Sequence, residues 1–176
     1  GFAVLTVFIA SLMVGRTPEY LGKKIGPAEM RMATVAVVSP ALVILAAATV
    51  LALAPAGAVS TSQGGPFGFS DLLYAVTSAG ANNGSALAGL AANTPLVNGV
   101  LGVEMLLGRL VPLAAALALA GSLAAREPQP SGVGTLSTAS PLFVGLLLVI
   151  IVLVGALALL PALALGPLAE QFTTVL

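Results

Sequence analysis

The stretch "SDLLYAVTSAGANNGSALAGL", residues 70–90, lies between long apolar runs and decides how the chain folds. Ser70 is a good helix N-cap, and Asp71 puts a carboxylate in the first turn, at the positive end of the helix dipole. A helix is therefore expected over about residues 70–79. At 1.5 Å per residue it rises only about 13 Å, less than half of a bilayer's roughly 30 Å hydrocarbon core. Such a helix enters a membrane and stops. The residues after it, Gly80 to Ala86, are small or polar, and irregular backbone at that depth is tolerated only inside protein or along a watery cavity.

Composition supplies the membrane. The 176 residues are 59% hydrophobic and 7% charged, with a mean hydropathy of +1.13, far above that of a soluble domain. Six Lys/Arg balance six Asp/Glu, so there is no basic field for nucleic acid. Cysteine, histidine and tryptophan are absent. This excludes disulfides, thiol redox chemistry, Cys/His zinc sites and histidine-based catalytic triads.

No charge occurs between Arg31 and Asp71, and residues 33–54 within that gap suffice for one span. Residues 95–125 form a second span despite Glu104 and Arg109, and residues 141–165 a third. The opening run, residues 1–14, reads as the end of another membrane helix of a chain that starts inside it. Arg16, Lys23, Lys24 and Arg31 crowd the first loop and Arg126 lies in the third, so residues 15–32 and 126–140 are expected to be cytoplasmic. Residues 33–125 then form a helix-pore-helix unit, with a re-entrant helix at about 70–79 and a filter at about 80–86, entered from outside. A final membrane helix over 141–166 leads to an external tail, 167–176. The fold class is an all-α, polytopic membrane protein.

A half-helix entering from outside aims its C-terminal carbonyls at the membrane interior, where they favour cations. Gly84, with asparagine beside it, lets the following backbone turn successive carbonyls to one side, as in filters where backbone oxygens replace an ion's water. Asn-Asn-Gly is equally the sequence of a simple turn, and only the short helix before it and the returning segment after it favour a filter. Glu104 and Arg109 are costly inside a span and should face protein or water. Their spacing of five, about 140° around a helix, disfavours a pair on one face. Pro112 removes a backbone bond to Gly108, so a kink or break is expected over "GRLVP", leaving the Arg109 charge facing a cavity beneath the filter. The alternative is that Arg109 snorkels to the boundary. For Glu104 a charge partner on a neighbouring helix and an ion-path role are both open. Lys23 and Lys24 read as topology determinants.

Several strings together resemble one family: "GRTPEYLGKKI" (15–25), "TSAGANNGSALAGL" (77–90), "GRLVP" (108–112), "LAGSLAA" (119–125) and "PALALGPLAE" (161–170). They are similar to the C-terminal part of the potassium-binding, channel-like subunit of the bacterial Kdp-type potassium-transporting ATPase, a member of the superfamily built from four helix-pore-helix repeats. The resemblance implies the last helix of the third repeat, the whole fourth repeat and the final helix. It also implies a multi-pass protein of the bacterial inner membrane that binds external K+ and passes it to a separate P-type ATPase subunit, with small accessory subunits alongside. By motif position, Asn82, Asn83, Gly84 and Ser85 would form one quarter of the filter, and Arg109 matches the arginine of the family's "GR-x-VP" run, near the ion path below it, where Glu104 is placed by its position in the same span. The family often carries a longer asparagine run where Ala81 stands. Transported K+ is the expected ligand, with no organic cofactor. The chain has no phosphorylated-aspartate motif and no GxxxxGK[ST] loop, so it would be a non-hydrolytic subunit. The alternative function is a gradient-driven or channel-like potassium transporter of the same superfamily, without an ATPase partner.

Overall fold

The computed structural model describes residues 1–55, 59, 61, 66–128 and 137–174. Five helices and one hairpin follow in the order α1 (Phe2–Met13), β1 (Glu19–Tyr20), β2 (Lys23–Lys24), α2 (Pro27–Ala52), α3 (Pro66–Gly80), α4 (Pro95–Ala124) and α5 (Pro141–Thr174). Each of α2 to α5 opens on proline, whose fixed φ suits the first helical position and whose missing N–H would have had no partner there. The residue before it supplies the cap where the cap is described. Thr94 Oγ1 accepts from the Val97 amide at 3.3 Å, and Ser140 Oγ from the Phe143 amide at 3.2 Å. Before α2 the direction is reversed, the Gly26 amide donating to Glu29 at 2.9 Å, one half of a capping box.

Helices α2, α4 and α5 are long and apolar enough to cross a membrane; α1 is a shorter apolar helix of 12 residues. With 15 residues, α3 rises about 22 Å, still short of the hydrocarbon thickness. It begins a full turn earlier than Ser70, because Pro66 at the first helical position outweighs the Ser-Asp signal. Two further boundaries differ from expectation. The segment 15–32 is not a plain loop: β1 and β2 pair antiparallel, Glu19 opposite Lys24, across a two-residue turn with Leu21 and Gly22 at φ +52° and +73°. Both values are left-handed, as a tight hairpin requires. At the other end α5 continues through Pro167 to Thr174, over most of the expected tail, since the Leu- and Ala-rich flanks keep the helix going past one lost bond. Most of the third loop, residues 129–136, and the last two residues lie outside the described set.

The chain forms two compact units, one of residues 1–38 with 111–156 and one of residues 39–110 with 157–176. In the first, Val4, Val7 and Ala10 of α1 pack with Ile25, Ala33 of α2, Leu119 of α4 and Phe143 of α5. The α1 end is closed by Gly15 at φ +66°, with Arg16 and Gly15 amides donating to Ser11 and Leu12 carbonyls, the paired bonds of a Schellman cap. The second unit is built around α3. Leu72, Leu73 and Val76 meet Ile44, Ala47, Ala48 and Leu51 of α2, Val97 of α4 and Ala162 of α5. The helix too short to cross is thus a core helix.

Candidate functional site

At its C-terminus α3 runs into the polar stretch, and the backbone there is fully accounted for on its donor side. The amides of Ala81, Asn82 and Asn83 donate to the carbonyls of Thr77, Ala79 and Ser78 at 3.0, 2.9 and 3.1 Å. The Gly84 amide also reaches Ser78 O, at 3.2 Å, and the Ser85 amide donates to Ser78 Oγ at 2.5 Å. The bonds from Asn82 and Asn83 are a second Schellman cap, with Asn82 in the left-handed position at φ +63°. Asparagine tolerates that region through its short polar side chain, and here Asn82 Nδ2 donates to Gly80 O at 3.1 Å. Gly84 follows at φ +71°.

Five successive amides therefore point back at the helix. The carbonyls go the other way: among the described residues none of those from 81 to 86 accepts a hydrogen bond. The helix end itself is not open as expected, because the carbonyls of Thr77, Ser78, Ala79 and Gly80 are all taken by donors of the loop. The oxygens left over belong to the loop, and in this chain residues 83–89 are exposed.

The charged residues of α4 fall on either side of its contact with α3. A Cβ placed on Gly108 would lie 2.6 Å from the Gly80 carbonyl oxygen, so the two helices cross here with no room for a side chain. One turn earlier, Glu104 is 2% exposed, and its Oε1 would lie 3.0 Å from a Cβ on Gly80. Neither carboxylate oxygen has a hydrogen-bond partner among the described residues. Glu104 also borders a groove of about 690 Å³, otherwise lined by apolar and glycine residues such as Leu42 and Val50 of α2 and Leu96 and Val103 of α4. Arg109, next to Gly108, is exposed and unpaired among the described residues. The expected break is absent. Helix α4 is continuous through "GRLVP", because one missing bond at Pro112 is outweighed by a 30-residue helix rich in leucine and alanine. Arg109 is presented from an intact helix. Glu104 and Arg109 form no ion pair with each other.

The family model for the potassium-transporting ATPase A subunit, KdpA, matches residues 1–172. The chain belongs to the KdpA family. It is 60% identical over 171 residues to the potassium-transporting ATPase potassium-binding subunit of Desulfovibrio desulfuricans, covering 97% of this chain and 29% of that protein. To the subunits so named in Clostridium botulinum strain Alaska E43 and Listeria monocytogenes serotype 4a it is 51% and 53% identical, over 98% and 99% of this chain and 30% and 31% of theirs. The chain thus spans about 30% of the length of these relatives. As a KdpA-family chain with three long apolar helices, it is part of a multi-pass bacterial membrane protein.

A second polar cluster, which the sequence did not single out, lies in the other unit. Glu29, at the start of α2, accepts from Arg126 Nε at 2.9 Å and Nη2 at 2.8 Å, from the Gly26 amide, and from Ser122 Oγ. The carboxylate side chain is 1% exposed and its lone pairs are filled. Beside it Lys23 Nζ donates to the carbonyls of Leu123 and Ala124, at 2.7 and 3.2 Å, and so caps the end of α4. The spacing of Gly26-Pro27 and Glu29 carried a capping-box hint; that Arg126 would close on it from 97 residues away carried no local signal.

Proposed function

We propose that this segment contributes one part of a potassium selectivity filter, formed by the backbone at Asn82, Asn83, Gly84 and Ser85, in the potassium-binding subunit of an ATP-driven uptake pump. The observation that carries the proposal is the one-sided hydrogen bonding of the loop. With every backbone amide from 81 to 85 satisfied by α3, and none of the carbonyls of 81–86 accepting a bond among the described residues, the backbone of 81–85 offers oxygens and no free amide. That is the arrangement in which carbonyls replace the hydration shell of a monovalent cation. Potassium as the ion follows from what the relatives are named for.

The ion enters from outside, loses water against these carbonyls and moves past Glu104, whose buried carboxylate has no partner among the described residues. A bare buried carboxylate is costly, and a cation in transit offsets that cost. Arg109, a fixed positive charge on the same helix, repels the ion and limits how long it stays. Hydrolysis of ATP is assigned to a separate P-type ATPase subunit, with accessory subunits in the complex, as the family resemblance implies, and the lack of a phosphoryl-transfer motif in this segment is consistent with that. That the first and third loops share one side of the membrane is supported by the Lys23, Glu29 and Arg126 cluster, which joins the second half of one to the start of the other.

Gly84→Asp in the full-length subunit tests the reading. At φ +71° the new side chain is strained whatever the space around it, and its charge sits among the carbonyls. The potassium concentration for half-maximal transport by the assembled complex should rise by about tenfold or more. Unchanged affinity together with unchanged selectivity would remove the loop from the filter.

A further inference from the structure

We infer that Ser78 is the positioning residue of this filter segment, acting through a directed chain of hydroxyls that ends on Asn83. The inference rests on the filter reading above. Ser78 lies in the last turn of α3 and is 5% exposed. Its single hydroxyl proton goes to Asn83 Oδ1 at 2.6 Å. In its bond with Ser85 Oγ, 3.0 Å away, Ser78 must therefore accept, and Ser85 must donate. Ser85 has then used its proton, so in the 2.9 Å bond to Tyr74 the phenol is the donor. The order is forced from one end: Tyr74 O–H to Ser85, Ser85 O–H to Ser78, Ser78 O–H to Asn83.

Ser78 accepts from two sides in addition. Its Oγ takes the Ser85 amide and its backbone carbonyl takes the amides of both Asn83 and Gly84. One residue thus binds three consecutive amides of the loop and two of its side chains, and these are the bonds that leave the carbonyls of 83–85 free. Without the hydroxyl, the Ser85 amide, the Ser85 hydroxyl and the Asn83 side chain all lose their partner, and with it the contacts that hold this part of the loop against α3. Tyr74, 44% exposed, stiffens the chain from its far end. Neither residue offers an atom to the ion, so both act on potassium through the loop.

The test uses the full-length subunit in the assembled complex, with transport measured against potassium and against rubidium. Ser78→Ala should raise the half-saturating potassium concentration about tenfold and narrow the preference for potassium over rubidium, with the change on half-saturation larger than that on the maximal rate. Ser78→Thr, which keeps the hydroxyl, should restore most of the affinity. Tyr74→Phe removes one terminal hydroxyl from a partly exposed ring and should give a smaller shift, about two- to threefold. If Ser78→Ala does not assemble, the Tyr74→Phe shift decides. Normal affinity and selectivity in Ser78→Ala, or no shift in Tyr74→Phe, while Gly84→Asp does shift them, overturns the role of the hydroxyl chain alone. If Gly84→Asp also changes nothing, the filter reading fails with it.

Discussion

Two residues out of reach of ordinary backbone geometry set the site. Asn82 and Gly84 both have left-handed φ, and the residue between them is held by Ser78, so the loop alternates without any strand or helix to support it. The need for glycine at 84 was legible in the sequence because Asn-Gly is a strong turn signal. The part played by Ser78 was not, since a serine near a helix end has many uses and its partners are visible only in three dimensions. Glu104 was legible as an anomaly, a carboxylate inside an apolar run, and the structure adds that it is buried against Gly80 with no partner among the described residues. Glu104→Gln keeps its shape and removes the charge. If Glu104 lies on the ion path, the maximal transport rate of the complex should fall by about five- to tenfold while potassium remains preferred over sodium. A rate equal to the parent's would take Glu104 off the path.

Among the elements, α3 is the one whose character changed most between sequence and structure. Its failure to span was readable from length, but its start was not, because Pro66 and Ser70 are competing signals and tertiary packing favours the longer helix. The break at Pro112 is absent for the same reason, a local rule overruled by a long favourable helix. The close crossing of α3 and α4 gives a steric prediction. Gly108→Ala puts a methyl 2.6 Å from the Gly80 carbonyl, so α3 must move, at a cost of about 1–3 kcal/mol. Thermal unfolding of the purified complex should come at lower temperature, with weakened potassium affinity, whereas alanine at Gly102, which meets nothing within 4 Å, should do neither. In the other unit, Glu29→Ala leaves Arg126 and Ser122 without their shared acceptor. That should destabilise the complex by about 2–3 kcal/mol, read from the same unfolding curve, with little change in ion selectivity.

At the scale of the molecule, the chain represents about 30% of its relatives' length, and its exposed loop offers oxygens on one side only. A filter needs a ring, and the resemblance to a fourfold-repeated superfamily supplies the reason for expecting the rest of that ring elsewhere in the full-length subunit. The membrane class, the spans and the family strings could be read from the sequence because they depend on composition, length and short motifs. The hairpin at 19–24, the bond from Arg126 to Glu29 and the one-sided loop could not, because each depends on which residues meet across the fold. The most direct test of the whole account is to locate a heavy potassium substitute, rubidium, by anomalous scattering in crystals of the full-length complex. An ion in direct contact with backbone carbonyl oxygens among residues 82–85, reduced or lost in Gly84→Asp, is the expected result. Rubidium bound at full occupancy elsewhere in the subunit, with these carbonyls facing only water or protein donors, would contradict it.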